Sequence, residues 1–295
     1  MNVVPKVSFS QVQTFLRCRK KWQYGYVNQW VPNEPGMAME MGDYIHGKMD
    51  IYYQLLRQTQ DVDELWKMME ANIIEDLNLE VNGEIVARGI KTMWRYVHEF
   101  APIIDAGITV VEPELHFEAP MVTPKERPFI LEGYIDLAYW KGPQLIVRDH
   151  KTTGKPGNFR KKGETEYDMQ QATYIGGLRQ IVDEEGKQLF PVFRGEVTEL
   201  VTFNYKDFTA VPIDKVMRRT PTFRADRAIA AAMDWYGNVV DQMIEEEVFL
   251  RSLENGCKYC WYKEPCILSS QGVDDGPILS VAFRKKSDER RPTAT

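Results

Sequence analysis

Apolar residues recur along this chain with two periods, and the change between them divides it. Near the start, Val12, Phe15 and Leu16 share one helical face behind a cap supplied by Ser8 or Ser10. That helix leads to Cys18 and the aromatic run Trp22, Tyr24 and Tyr26, which reads as extended chain. After a loop around 32–36, helical patterning resumes at about 42–56, 61–80 and 84–104. From Val110 the texture turns to short alternating runs, VVEPELHFEA, FILEGYIDLAYW and QLIVRDHKT, bounded by Pro, Gly or Lys-rich turns and read as consecutive strands. Residues 167–181 are helical again, VTELVTFNY is a further strand, and 225–249 form a long helix that delivers the chain to CKYCWYKEPC. The segment after Gly276 reads as a polar tail.

Composition narrows this picture. With 295 residues, 43% of them hydrophobic and 12% aromatic, the chain can bury a large core as one elaborated domain. No apolar run approaches the roughly 20 residues that span a bilayer, and the N-terminus lacks the apolar stretch of a signal peptide, so the expected location is cytoplasmic, in a prokaryotic or phage-infected cell. The 37 basic and 43 acidic residues give a net charge of −6, which excludes indiscriminate coating of nucleic acid. Any contact with DNA is local, and the basic groups cluster at Arg17 to Lys21, at Lys155 and Arg160 to Lys162, and from Arg284 to Arg291. Each cluster alone reads as solvated surface charge.

The chemistry concentrates in GYIDLAYWKGPQLIVRDHKT. The midpoint of Asp136 and Asp149 falls inside the turn Lys141-Gly142-Pro143-Gln144, so a symmetric hairpin makes the two aspartates cross-strand partners, roughly 5 Å apart at Cβ. Two anions so close call for a cation. Strand alternation puts Lys151 on the face of Asp149, with His150 pointing the other way. Two carboxylates with water and phosphate oxygens suit Mg²⁺, and a neighbouring lysine can orient or help deprotonate the attacking water and can neutralise charge developing on phosphate. A surface hairpin carrying an ordinary charge pair is the plain alternative. Gln170 and Tyr174, spaced i, i+4 on the next helix, face the same way. His46 in GDYIHGKMD stands alone in a helical segment.

The four cysteines make one pattern: Cys18 near the start, then Cys257, Cys260 and Cys266 in C-x2-C-x5-C spacing far downstream. Crowded into an aromatic loop, the last three argue for metal ligation over disulfides. Local spacing leaves zinc and a 4Fe-4S cluster both open.

With His46 in GDYIH, Asp136 in GYIDL, Asp149-His150-Lys151 in IVRDHKT and Gln170 with Tyr174 in QQATY, all in order, the chain resembles the RecB-like branch of the PD-(D/E)XK nuclease superfamily. The likeness extends from SFSQVQTFLRC to CKYCWYKEPC. It implies an α/β fold with a central mixed sheet flanked by helices, a restriction-endonuclease-like core, within one domain over 1–276. That domain would hold a helical insertion at about 42–105, a catalytic core at about 108–210 and a C-terminal helix and cysteine loop at about 224–268, before a tail at 277–295.

The resemblance further implies Mg²⁺ or Mn²⁺ held by His46, Asp136, Asp149 and the His150 backbone carbonyl. Lys151 would be the catalytic lysine beside Asp136 and Asp149, with Gln170 and Tyr174 positioning DNA or that lysine. Glu112 or Glu114 can match an upstream acidic position. The lone Cys18 with the downstream triplet resembles the iron-sulfur staple of AddB-type and CRISPR-associated RecB-like nucleases, implying a 4Fe-4S cluster on Cys18, Cys257, Cys260 and Cys266 that joins the N- and C-terminal regions. Expected partners are DNA ends or single strands, with proteins of replication, repair, recombination or CRISPR adaptation, and no membrane. Trp22 and Tyr24 are candidates for stacking on unpaired bases or lining the cluster. The resemblance implies a metal-dependent DNA nuclease, an exonuclease acting on ends or single strands, and the alternative is a catalytically silent iron-sulfur DNA-binding subunit of a recombination complex. No GxxxxGK[ST] sequence occurs, so no ATP-driven motor is expected in this chain.

Overall fold

The computed structural model describes residues 4–34, 36–78, 82–155, 159–202, 210–252 and 255–286. Strand β1 (Lys6–Ser8) runs into α1 (Phe9–Arg17), where extended Ser8 caps the helix by accepting the Gln11 amide at 3.3 Å. Val12 and Phe15 are buried as expected, whereas Leu16 is 49% exposed. Past Cys18 the chain does not extend. The Cys18 sulfur caps α2 (Arg19–Trp22), which continues through one π-helical turn (Gln23–Val27) before β2 (Trp30–Pro32).

Helices α3 (Met37–Leu56), α4 (Val62–Asn78) and α5 (Gly83–Arg95) form the expected helical third, continued by a π-helical turn (Tyr96–Phe100) and α6 (Ala101–Ile104). Three long strands follow, β3 (Ile108–Val122), β4 (Pro128–Lys141) and β5 (Gln144–Thr153), then α7 (Lys162–Glu166) and α8 (Met169–Gln180). Strand β6 (Val192–Val201) begins earlier than VTELVTFNY suggests, and residues 203–205 of that run lie outside the described residues. Next come α9 (Ile213–Val216), β7 (Met217–Thr222), α10 (Asp226–Glu245), α11 (Lys263–Ser270), α12 (Gly276–Ala282) and β8 (Phe283–Lys285).

Two compact units result: Met1–Pro35 with Met121–Phe129 and Trp235–Thr295, and Gly36–Pro120 with Ile130–Asp234. In the second, a central mixed sheet runs β4-β5-β6-β7 with β3 paired to β4. The β5–β6 pair is parallel, and β4–β5 and β6–β7 are antiparallel. Helices flank it. Ile45, Met49 and Tyr53 of α3 share a core with Leu137, Tyr139, Ile146 and Leu200 of the strands. The amide of Gln171 in α8 donates to the Glu196 carbonyl of β6 at 2.6 Å. Among the described residues no helix is long and apolar enough to cross a membrane.

The first unit corrects the expectation of a polar tail after Gly276. Residues 276–285 form α12 and β8, because Leu279 and Phe283 are buried with Tyr24 and Tyr262 and β8 pairs antiparallel with β2. Residues 287–295, with the basic end of that segment, lie outside the described residues.

Candidate functional site

The β4–β5 hairpin turns at Gly142-Pro143, where Gly142 adopts φ +58°, a left-handed conformation that glycine takes without steric cost. Its register runs from Lys141↔Gln144 to Leu137↔Arg148. The paired register ends there, one step short of the expected Asp136 and Asp149 partnership. The carboxylate of Asp136 accepts the His150 amide at 2.5 Å and lies 3.4 Å from His46 Nδ1, so α3, β4 and β5 meet at one point. Lys151 Nζ donates to Asp149 Oδ1 at 2.7 Å and reaches Gln170 Oε1 at 3.5 Å. The sulfur-free residues proposed for the site thus converge: His46, Asp136, Asp149, Lys151 and Gln170. Tyr174 lies on the same groove, which Tyr134, Asp136, Asp149 and Gln170 also line, while its ring packs edge-on against Phe117.

The structure separates two residues that the sequence left level. Glu112 points to the surface and pairs with Arg57 at 3.0 Å. Glu114 instead joins His46 and Asp136, with ligand atoms of all three within 4.8 Å of one another. Glu114 has φ +49°, a left-handed conformation unusual in a strand residue with a Cβ. Strand alternation alone gives Glu112 and Glu114 the same face, so this local distortion carried no signal in the sequence.

The electrostatics are unequal across the pair. Burial pushes the Asp136 carboxyl up, but the His46 hydrogen bond and the charges of His46, His150 and Lys151 outweigh it and hold Asp136 well below the usual carboxylate range. Burial pushes Asp149 up, Lys151 opposes it, and the Asp136 charge adds to the rise. Asp149 Oδ2 is buried and has no hydrogen-bond partner among the described residues. Burial disfavours the Lys151 ammonium, yet Asp149 and Asp136 outweigh it and raise its pKa above the ordinary lysine value. Behind the hairpin, the His150 ring is stacked on Tyr53 at 5.8 Å and burial lowers its pKa to about 3.

The carboxylates of Glu114 and Asp136 with the imidazole of His46, their ligand atoms all within 4.8 Å of one another, fit an oxygen-preferring divalent cation. These three could hold one, and Asp149 stands outside that group. The strand beneath is pinned by Arg148, fully buried, which donates to Asp105 at 2.6 Å, Tyr53 at 2.8 Å and Glu196 at 3.2 Å.

In the other unit, Cys18, Cys257, Cys260 and Cys266 line one cavity of about 140 Å³ together with Lys20, Lys21 and Arg251. The Cys18 sulfur accepts backbone amides of Lys21 and Ser252, both at 3.4 Å, as a thiolate ligand would. Burial raises the Cys260 and Cys266 thiols, and nearby Lys21, Lys20 and Arg251 work against it. Trp22 and Tyr24 are not free for bases: Trp22 packs on Phe15 and Phe249, and Tyr24 is buried against Tyr262. Tyr24 does line the cysteine cavity.

Compared with known proteins, residues 6–267 match the family described as PD-(D/E)XK nuclease superfamily. Among curated proteins none matches the chain. A solved structure titled "Crystal structure of SSO0001" is similar at 12% identity and a TM-score of 0.37, over 88% of this chain and 84% of that one.

Proposed function

This chain belongs to the PD-(D/E)XK nuclease superfamily, a family of metal-dependent nucleases, and from that premise we propose that it is a Mg²⁺- or Mn²⁺-dependent deoxyribonuclease acting at DNA ends or on single strands. The observation that carries the reading is the convergence of His46, Glu114 and Asp136, with ligand atoms within 4.8 Å of one another, on the hairpin where Lys151 donates to Asp149. In it, Asp136, Asp149, His46 and the His150 carbonyl hold the cation, with Glu114 as a further acidic ligand. A bound cation supplies Lewis acidity to the phosphoryl oxygen and lowers the pKa of the attacking water. The ammonium of Lys151, held by Asp149 and close to Gln170, donates to the water or to a phosphate oxygen and offsets charge developing in the transition state. Tyr174 fixes the wall of the groove.

The four cysteines hold a 4Fe-4S cluster in this reading, a charge-matched group in a cavity ringed by Lys20, Lys21 and Arg251. Its role is to tie the N-terminal helix to the C-terminal loop. The nuclease would serve replication, recombination, repair or CRISPR adaptation with partner proteins.

The test is incubation of the purified chain with end-labelled single- and double-stranded DNA in Mn²⁺, Mg²⁺ or EDTA. Cleavage in metal that is lost in EDTA and in Lys151→Ala supports the reading. Cleavage that persists in EDTA, or no cleavage with either cation, overturns it.

A further inference from the structure

Tyr134 stands two residues before Asp136 on β4, and alternation along the strand sets Glu132, Tyr134 and Asp136 on one side while Leu131, Gly133, Ile135 and Leu137 are buried. Its ring is therefore about 7 Å along the strand from the carboxylate pair. Tyr134 is 46% exposed and stands on the wall of a groove that Asp136, Asp149 and Gln170 share. The ring is also backed. His116 of β3 lies against it with centroids 4.5 Å apart and planes 29° from parallel, and His116 Nε2 is braced by Glu132 at 3.1 Å and lies 3.8 Å from Glu118. A ring already held by a second ring loses little rotamer freedom on binding, so its stacking energy is not spent on ordering.

We propose that Tyr134, backed by His116, is a base-stacking subsite that receives the nucleobase flanking the scissile phosphate. This rests on the nuclease reading above and deepens it, because the subsite selects the substrate. Inside a duplex both faces of a base are covered by its neighbours, so only an unpaired or terminal base can lie on Tyr134. The carboxylates of Glu118 and Glu132 repel phosphate from the His116 side. The backbone is thereby directed towards Lys151 while the base lies on the ring. The substrate class is single-stranded DNA or frayed ends, read without base identity, since every base offers a π face.

The experiment uses the full chain, a labelled single-stranded oligonucleotide and Mn²⁺, with one abasic residue walked along the strand. Tyr134→Ala should raise KM about tenfold, in line with one lost stacking contact, with a smaller change in kcat, and Tyr134→Phe should restore KM. At one position next to the cleaved bond, the abasic residue should raise the KM of the unaltered protein by a similar factor and add nothing to Tyr134→Ala. An unchanged KM in Tyr134→Ala, or an abasic penalty that survives in it, overturns the subsite. A KM rise that merely follows a lowered thermal midpoint assigns the Tyr134–His116 pair to sheet stability and also overturns it. Anisotropy of the same oligonucleotides in Ca²⁺ reads binding without cleavage. The abasic effect there, in a chain that cleaves nothing, would overturn the nuclease reading while supporting the subsite.

Discussion

At the residue scale the site is a place where stability is given up. The Asp149 carboxyl is buried, with one oxygen unpartnered among the described residues, and burial and the Asp136 charge raise it above the usual range. A carboxyl with a raised folded pKa is favourable to folding only while protonated, so its contribution is lost as pH rises through that value, and at pH 8 the charge works against the fold. Asp149→Asn should therefore melt at the same or higher temperature than the unaltered chain in EDTA at pH 8, while cleavage falls on the order of a thousandfold. Adding Mn²⁺ should raise the midpoint of the unaltered chain and not of the variant. A variant melting several degrees lower without metal would show Asp149 to be a structural anchor instead. Lys151→Ala should likewise keep its fold and lose cleavage. His46→Ala should lower the rate and shift the preference from Mn²⁺ towards Mg²⁺, because an imidazole ligand favours the softer ion. Unaltered metal titrations would make His46 a bystander.

At the element scale, the hairpin register was readable in advance, because antiparallel partners around a tight turn have a fixed midpoint and glycine marks that turn. The network behind it was not. Arg148 reads as one more charge in a strand, yet it is fully buried between Asp105 from the end of α6, Tyr53 of α3, Tyr139 of β4 and Glu196 of β6. Arg148→Met takes the guanidinium from buried Asp105 and leaves Glu196 to Arg194, which pairs with its other oxygen at 2.9 Å, and urea unfolding should register a loss of about 3–5 kcal/mol. A loss under about 1 kcal/mol would mean that Arg148 is not needed to hold Asp105 and Glu196 in the core. Gly133 is a second hidden constraint: a Cβ there would stand 2.4 Å from Phe117 and 3.0 Å from Tyr174. Gly133→Ala should displace Tyr174 from the groove, seen as reduced cleavage together with a lowered melting temperature. Short strands escape the sequence for the same reason. Strands β2 and β8 have three residues each, too few for a period, and exist through pairing with one another.

At the scale of the whole molecule, Cys18 and the distant Cys257, Cys260 and Cys266 line one cavity, so a cluster there would close a loop spanning most of the chain and restrict its unfolded state strongly. Anaerobically purified protein should be brown and contain about four irons per chain. Zinc without iron would replace the cluster by a zinc staple. Cys18→Ser should lower the thermal midpoint and increase proteolysis near both ends, with nuclease activity falling in step with the folded fraction. What the sequence determined by itself was whatever is local or counted: the helical third, the three long strands, the hairpin that carries Asp136 and Asp149, and the spacing of the four cysteines. These follow from periodicity, turn chemistry and residue type, which act over a few positions. Only the tertiary structure decided between Glu112 and Glu114, buried Tyr24 and left Tyr134 on the groove, and turned residues 276–285 from tail into helix and strand. Each of those outcomes depends on which distant atoms take up a carboxylate, a ring or an apolar side chain, and no window of neighbouring residues contains that information.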